Sequence, residues 1–325
     1  MNSLTGGATA KSRGGIGSRI IAWLDAMPHP AAVCEIAADH VSVARWSGSG
    51  GLDAGAGEAL DPGVIKPSPV EPNIANSDAL KTALKNAFER VSLRGQPLAL
   101  IVPDSVVRVF IFPFETLPRR AEDAAPLLRW RLKKSVPFDV EDTVISSMRQ
   151  TGRDGGLEII TAVARQSIIR EYETAVEAAG ATPGVVMSST LACLSLLGES
   201  GATMLIRAGD NSLTTAIVRN TNLCIYRSTS LGADLESLDV HAILDEIFPA
   251  VAYYQDTWKE ELNRVLLTGF SSRMDALKNA LSAELKVNAE SLAAAASDHG
   301  LSNEAHTMMN EGQEALVGWM ANGRA

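Results

Sequence analysis

Residues 31–46 read AAVCEIAADHVSVARW, and residues 204–218 read MLIRAGDNSLTTAIV. Each run is apolar, breaks at a short polar or small-residue turn, and becomes apolar again. That is the pattern of two strands joined by a tight hairpin. After the first hairpin, Gly48–Gly57 and the proline-punctuated stretch to Pro72 read as loop. A helix follows over Asn76–Arg94, with Leu80, Leu84, Ala87, Phe88 and Val91 on one face and Gly95 as its stop. After the second hairpin, Leu223–Ser228 supplies another strand and Leu238–Trp258 a long helix. The strand RVLLTG then leads into a helix over Ser272–Leu285. The two halves share one β-β-…-α-β order, which points to a duplicated α/β unit with a central cleft.

Between the halves lies a different pattern. LALIVP (98–103) and VVRVFIF (106–112) read as two strands joined by a turn at Pro103-Asp104-Ser105. A helix over Pro118–Lys134 carries Glu122 and Asp123 near its start and Arg129, Arg131, Lys133 and Lys134 near its end, as the helix dipole favours. Strands at Thr143–Arg149 and Leu157–Ala164 flank a TGRDGG turn, and an amphipathic helix over Ser167–Ala179 stops at Gly180. In the strand 106–112, Val106, Arg108, Phe110 and Phe112 alternate with Val107, Val109 and Ile111. A strand apolar on both faces is either buried on both sides or covered by an extended partner that adds to its edge. The basic cluster of Arg119, Arg120, Arg129, Arg131, Lys133 and Lys134 has two readings: a solvated helix end, or a surface that attracts an acidic partner or anionic lipid.

Composition narrows the function classes. The 325 residues carry 29 Lys and Arg against 38 Asp and Glu, a net charge of −9, with 46% hydrophobic residues. This is globular composition, without the broad basic face of a general nucleic-acid binder. Cys34, Cys193 and Cys224 stand apart among apolar residues, as reduced buried thiols would. His29, His40, His241, His299 and His306 do not cluster either, so no metal site is expected. No apolar run approaches the roughly 18 residues of a membrane span, so a membrane role is expected only through a partner. P-loop, GxSxG and HExxH motifs are absent.

Three turns could line the cleft: Glu35–His40, Arg207–Ser212 and Thr268–Ser271. Backbone N–H groups at such turns can cradle phosphates. Their order resembles the actin-like ATPase superfold. Residues 110–144, FIFPFETLPRRAEDAAPLLRWRLKKSVPFDVEDTV, resemble one branch of it more specifically, the PilM-like type IV pilus assembly proteins. Phe112 to Pro118, Arg129-Trp130 and Pro137-Phe138 match that branch, and ITAVARQSIIREYETAVEAAGATPGVV (160–186) is similar to the segment that follows in it. The resemblance covers about residues 31–285 and is strongest at 98–190.

The resemblance implies an α/β, actin-like (RNase H-like) duplicated bilobal fold with an inserted α+β subdomain and a reduced second-lobe insertion. The expected division is 1–19 a disordered tail, 20–97 the first lobe, 98–180 an inserted peptide-binding subdomain, 181–288 the second lobe and 289–325 a C-terminal helical tail. It also implies a peripheral adaptor on the cytoplasmic face of the inner membrane. Its expected partners are the N-terminal peptide of a PilN-like inner-membrane protein and pilus motor or platform components. Phe110, Phe112, Phe114, Leu128, Trp130 and Phe138 are the expected peptide-binding residues. ATP and Mg²⁺ belong in the family's cleft, and here Glu35, Ala37, Asp39, Gly209, Asp210, Ser212, Gly269 and Ser271 would hold the nucleotide. Three departures put that in question: Ala37 in place of a glycine, Arg207 in place of an acid, and one glycine at 269 followed by Phe270 in place of a pair. An arginine cannot ligate Mg²⁺ or polarise an attacking water. Hydrolysis is therefore expected to be weak or absent and no catalytic residue is assigned. The alternatives are a GspL-like component of type II secretion and an active actin-like ATPase.

Overall fold

A computed structural model describes residues 29–46, 51–197, 201–209, 211–220, 222–231, 235–296 and 301–322. The expected N-terminal tail and the short helix at Ile20–Ala26 lie outside the described residues. Strand β1 (Ala32–Ile36) is buried along its whole length, and β2 (His40–Trp46) folds back on it, pairing Glu35 with Ser42. β2 continues into β3 (Leu52–Ala59). β4 (Pro97–Val102) pairs in parallel with β1, and β8 (Thr182–Ser188) in parallel with β4. The first sheet therefore runs β3-β2-β1-β4-β8. The second half repeats it with β9 (Ala202–Gly209), β10 (Ser212–Arg219), β11 (Asn222–Ser230), β12 (Arg264–Thr268) and β13 (Asn288–Ser291), in the order β11-β10-β9-β12-β13. Two five-stranded sheets with the same order and the same pairing senses are a duplication at the level of topology.

Helices cover both sheets. α1 (Ser77–Arg90) starts at an Asn76 cap that accepts from the Ala79 N–H, and it buries Leu80, Leu84, Ala87 and Phe88. α3 (Gln166–Ala179) packs beside α1 through Ile168, Ile169, Tyr172 and Val176, and a left-handed Gly180 ends it. On the second lobe, α5 (Val240–Trp258) and α6 (Met274–Leu285) pack through Ile243, Ile247, Tyr254, Leu277 and Leu281.

The inserted module is a three-stranded antiparallel sheet, β5-β7-β6, with one helix on it. β5 is Arg108–Phe114, α2 Ala121–Leu132, β6 Thr143–Thr151 and β7 Leu157–Arg165. The two-residue strand period sends Ile159 and Val163 toward α2, and Ile160 and Ala164 toward the main core. β5 obeys the same rule. Phe110 and Phe112 pack in the cluster of Leu132, Val140 and Val163, while Val107, Val109 and Ile111 join the main core. Its two apolar faces are thus both covered from within the chain.

The strand pairing corrects several sequence expectations. β4 belongs to the first-lobe sheet, and α3 and β8 pack there too, so the insert spans β5 to β7 rather than 98–180. The glycine-rich segment read as loop forms β3 from Leu52 onward, because backbone pairing with β2 outweighs the weak strand preference of Ala and Gly. The C-terminal segment is no appendage. β13 closes the second sheet, α7 (Leu292–Ala296) and α8 (Asn303–Asn310) follow, and α9 (Glu314–Asn322) returns to the first-lobe core. There it lies against α4 (Ser189–Cys193) so closely that a Cβ on Gly318 would come 2.2 Å from the Ala192 carbonyl oxygen.

Candidate functional site

Glu35 is 1% exposed near the end of β1, and Asp104 is 2% exposed in the turn after β4. Burying a carboxylate is costly unless it is paired and hydrogen-bonded. Both are, and the pairing crosses between the lobes. Arg207 on β9 donates from Nη2 to Glu35 Oε1 at 3.1 Å, and its Nη1 lies 3.8 Å from Asp104 Oδ2. Ser189 Oγ also donates to Glu35 Oε1, at 2.8 Å. Thr190 donates its backbone N–H to Asp104 Oδ1 at 2.8 Å and its hydroxyl to Oδ2 at 2.5 Å. Tyr226 OH on β11 donates to Asp104 Oδ1 at 3.2 Å, and burial pushes this phenol well above its ordinary range. One arginine of the second lobe is thereby held by two carboxylates of the first.

The turns around this cluster explain how Arg207 reaches it. Gly209 leaves room for the guanidinium: a Cβ there would stand 2.7 Å from Arg207 Nη1. Gly269, at φ +81, follows β12 so tightly that a Cβ would meet the Ala208 carbonyl oxygen at 1.9 Å. Only glycine combines that conformation with that approach. Ser212 Oγ donates to the Gly209 carbonyl at 2.7 Å, closing the β9–β10 turn on itself. Ser271, at φ +40, opens a single 3-10 turn. Ala37 is buried in the β1–β2 turn, where its N–H donates to the His40 carbonyl at 2.9 Å. Asp39 is exposed and lies 2.6 Å from His40 Nδ1, and that ring holds its carboxyl below the usual range. Asp210 lies outside the described residues.

The eight positions expected around a nucleotide thus divide. Glu35 and the turn glycines meet at the lobe junction, but Glu35 and Gly209 accommodate Arg207 there. Asp104, Ser189, Thr190 and Tyr226 were not singled out by sequence, and only the charge of Asp104 directly after a buried strand could have marked it. Glu314 on α9 adds a further acid, accepting from Thr268 Oγ1 at 2.6 Å, and burial pushes its carboxyl above the usual range. Cys34, Cys193 and Cys224 are free and buried, and burial raises all three thiols. Among the described residues, no group of three His, Cys, Asp or Glu is placed to hold a metal. No helix among them is long and apolar enough to cross a membrane.

The expected peptide-binding residues lie on the α2 side of the insert. Leu128 of α2 is 2% exposed, packed in the cluster with Ile159, and Phe114 packs on that cluster. Phe110 and Phe112 stack with centroids 5.5 Å apart, and Phe138 joins them over Leu132 and Val140. Trp130 is 74% exposed. A cavity of about 400 Å³ opens elsewhere, between the insert and the first lobe. Val144, Ile145 and Ser146 of β6 line one side, and Gly184–Ser188 of β8 the other. Both strands are sheet edges, so two rows of backbone groups flank one apolar groove.

Comparison with known proteins places the fold. No family model matches the sequence, and no curated protein matches it. Among solved structures, the chain is similar to the "PilM-PilN type IV pilus biogenesis complex", with a TM-score of 0.71 and 19% identity over 91% of this chain and 99% of that one. Weaker likenesses are to a protein with an actin-like ATPase fold from Bacteroides thetaiotaomicron (TM-score 0.47, 15% identity, 90% of this chain and 97% of that one) and to the cytoplasmic domain of EpsL, an inner-membrane component of the Vibrio cholerae type II secretion system (TM-score 0.46, 12% identity, 73% and 80%). The fold is the actin-like duplicated α/β fold with an inserted α+β module.

Proposed function

We propose that this protein is an adaptor of a type IV pilus inner-membrane assembly platform. In this reading it holds the N-terminal cytoplasmic tail of a PilN-like membrane protein, and its interlobe cleft does not turn over nucleotide. The observation that carries the reading is the groove between β6 and β8. It offers what an extended peptide needs: free strand edges for main-chain hydrogen bonds and apolar walls for alternate side chains. The likeness to a PilM-PilN complex supports this occupant over other extended segments. The cleft supports the second half of the reading. Glu35 and Asp104, the buried acids at the lobe junction, already face the Arg207 cation, at 3.1 and 3.8 Å.

The groove therefore replaces the α2 aromatics as the proposed peptide site. Titrating N-terminal peptides of neighbouring-gene membrane proteins by calorimetry tests it. Val144→Glu combined with Val186→Glu is expected to weaken binding at least tenfold with an unchanged melting temperature, because both positions are partly exposed on the groove. Binding that survives this pair but is lost in Trp130→Ala would put the peptide on α2 instead.

A further inference from the structure

The exposed face of α2 has a composition that the peptide reading leaves unused. Leu127 and Trp130 stand one turn apart on that face. Leu127 is 43% and Trp130 74% exposed, two of four large hydrophobic residues so exposed among the described residues. Arg119 and Arg120 stand exposed before the helix, and Lys133 and Lys134 exposed just after it. Residues 115–134 hold six cations against three acids, in a chain whose net charge is −9. Arg129 is committed to the Val140 and Thr143 carbonyls, and Arg131 lies over the Phe112 ring at 5.6 Å. No carboxylate of a described residue forms an ion pair with Arg119, Arg120, Lys133 or Lys134.

We infer that this face docks directly on an anionic lipid membrane surface, with Trp130 and Leu127 entering the headgroup layer and the flanking cations meeting the lipid charges. Trp suits that layer because its ring is apolar and its N–H polar. Each Lys or Arg near such a surface contributes roughly a fivefold gain in affinity at moderate salt. The face is too short to bury itself deeply, so adhesion is reversible and salt-sensitive. Cations flanking one exposed indole on a short, convex helix face suit a flat anionic surface, and an acidic protein partner is the outcome the test sets against it. The inference extends the adaptor reading by giving the protein a membrane contact of its own. It rests on different residues, and its test contains no peptide, so the two readings can fail separately.

The experiment is co-sedimentation of the full chain with vesicles of phosphatidylcholine alone and with phosphatidylglycerol added. Binding is expected only with the anionic lipid, falling as salt rises from 0.1 to about 0.5 M. Lys133→Glu with Lys134→Glu is expected to weaken it at least about 25-fold. Trp130→Ser is expected to weaken it several-fold, with the circular dichroism spectrum and melting temperature unchanged in both variants. Equal binding to both vesicle types, binding to neither, or binding that both variants retain would overturn the proposal. Capture of an acidic protein in the absence of vesicle binding would count against it in the same way.

Discussion

Arg207 sits where a buried cation has to be answered, and Glu35 and Asp104 answer it. Buried ion pairs add little net stability over an apolar replacement, but removing one partner strands the other charge. Arg207→Met is therefore expected to cost about 3–5 kcal/mol in urea unfolding. Adding Glu35→Gln to that variant should restore part of the loss, as coupled neighbours do. A cost below about 1 kcal/mol for the single variant would mean that the pair is not a structural tie. Glu314 makes a second residue-scale prediction. Its carboxyl is raised by burial, so the folded state binds a proton that the unfolded state has released. Stability is then full below the ordinary glutamate value and falls as pH rises through the raised one. Glu314→Gln keeps an acceptor for Thr268 and is expected to flatten that decline, measured as melting temperature against pH. An unchanged slope would assign the pH dependence to other groups. Sequence alone marked Arg207 as a misfit beside Glu35. It could not show their contact, because the two lie on equivalent strands of different lobes.

At the scale of elements, the hairpins and amphipathic helices were legible because each is set by local periodicity. β1 and β9 are mostly apolar runs broken by one charge each, Glu35 and Arg207, and α3 buries Ile168, Ile169, Tyr172 and Val176 at helical spacing. What escaped was set by distant partners. β3 is built from Ala, Gly, Asp and Glu and exists because β2 offers it an edge. β13 is short and exists because β12 does. β4 looked contiguous with β5 in sequence, yet it pairs with β1 and β8, because a parallel strand finds its neighbours across intervening chain. The aromatic run Phe110–Phe114 was legible as strand. Its faces were not assignable until α2 and the first lobe were seen to cover them.

At the scale of the molecule, the chain ties its lobes together in several places. The Arg207 cluster spans the lobe junction from within. The insert braces it from outside. Gln150 donates from Nε2 to the Leu223 carbonyl at 2.8 Å and accepts the Leu223 N–H at 3.1 Å, and Arg108 donates to the Ser228 carbonyl at 3.3 Å. α9 returns from the second lobe to pack against α4 and β1. A lobe junction closed by protein charges is suited to holding a fixed shape, and a fixed shape suits the proposed peptide groove walled by β8 of the first lobe and β6 of the insert. Hydrogen exchange of the full chain with and without a saturating N-terminal tail peptide of the proposed PilN-like partner reads this directly. Slowed exchange confined mainly to residues 143–151 and 182–188 is the predicted result. Peptide binding that leaves both strands unprotected, or that protects the β1–β2 and β9–β10 turns instead, would contradict it.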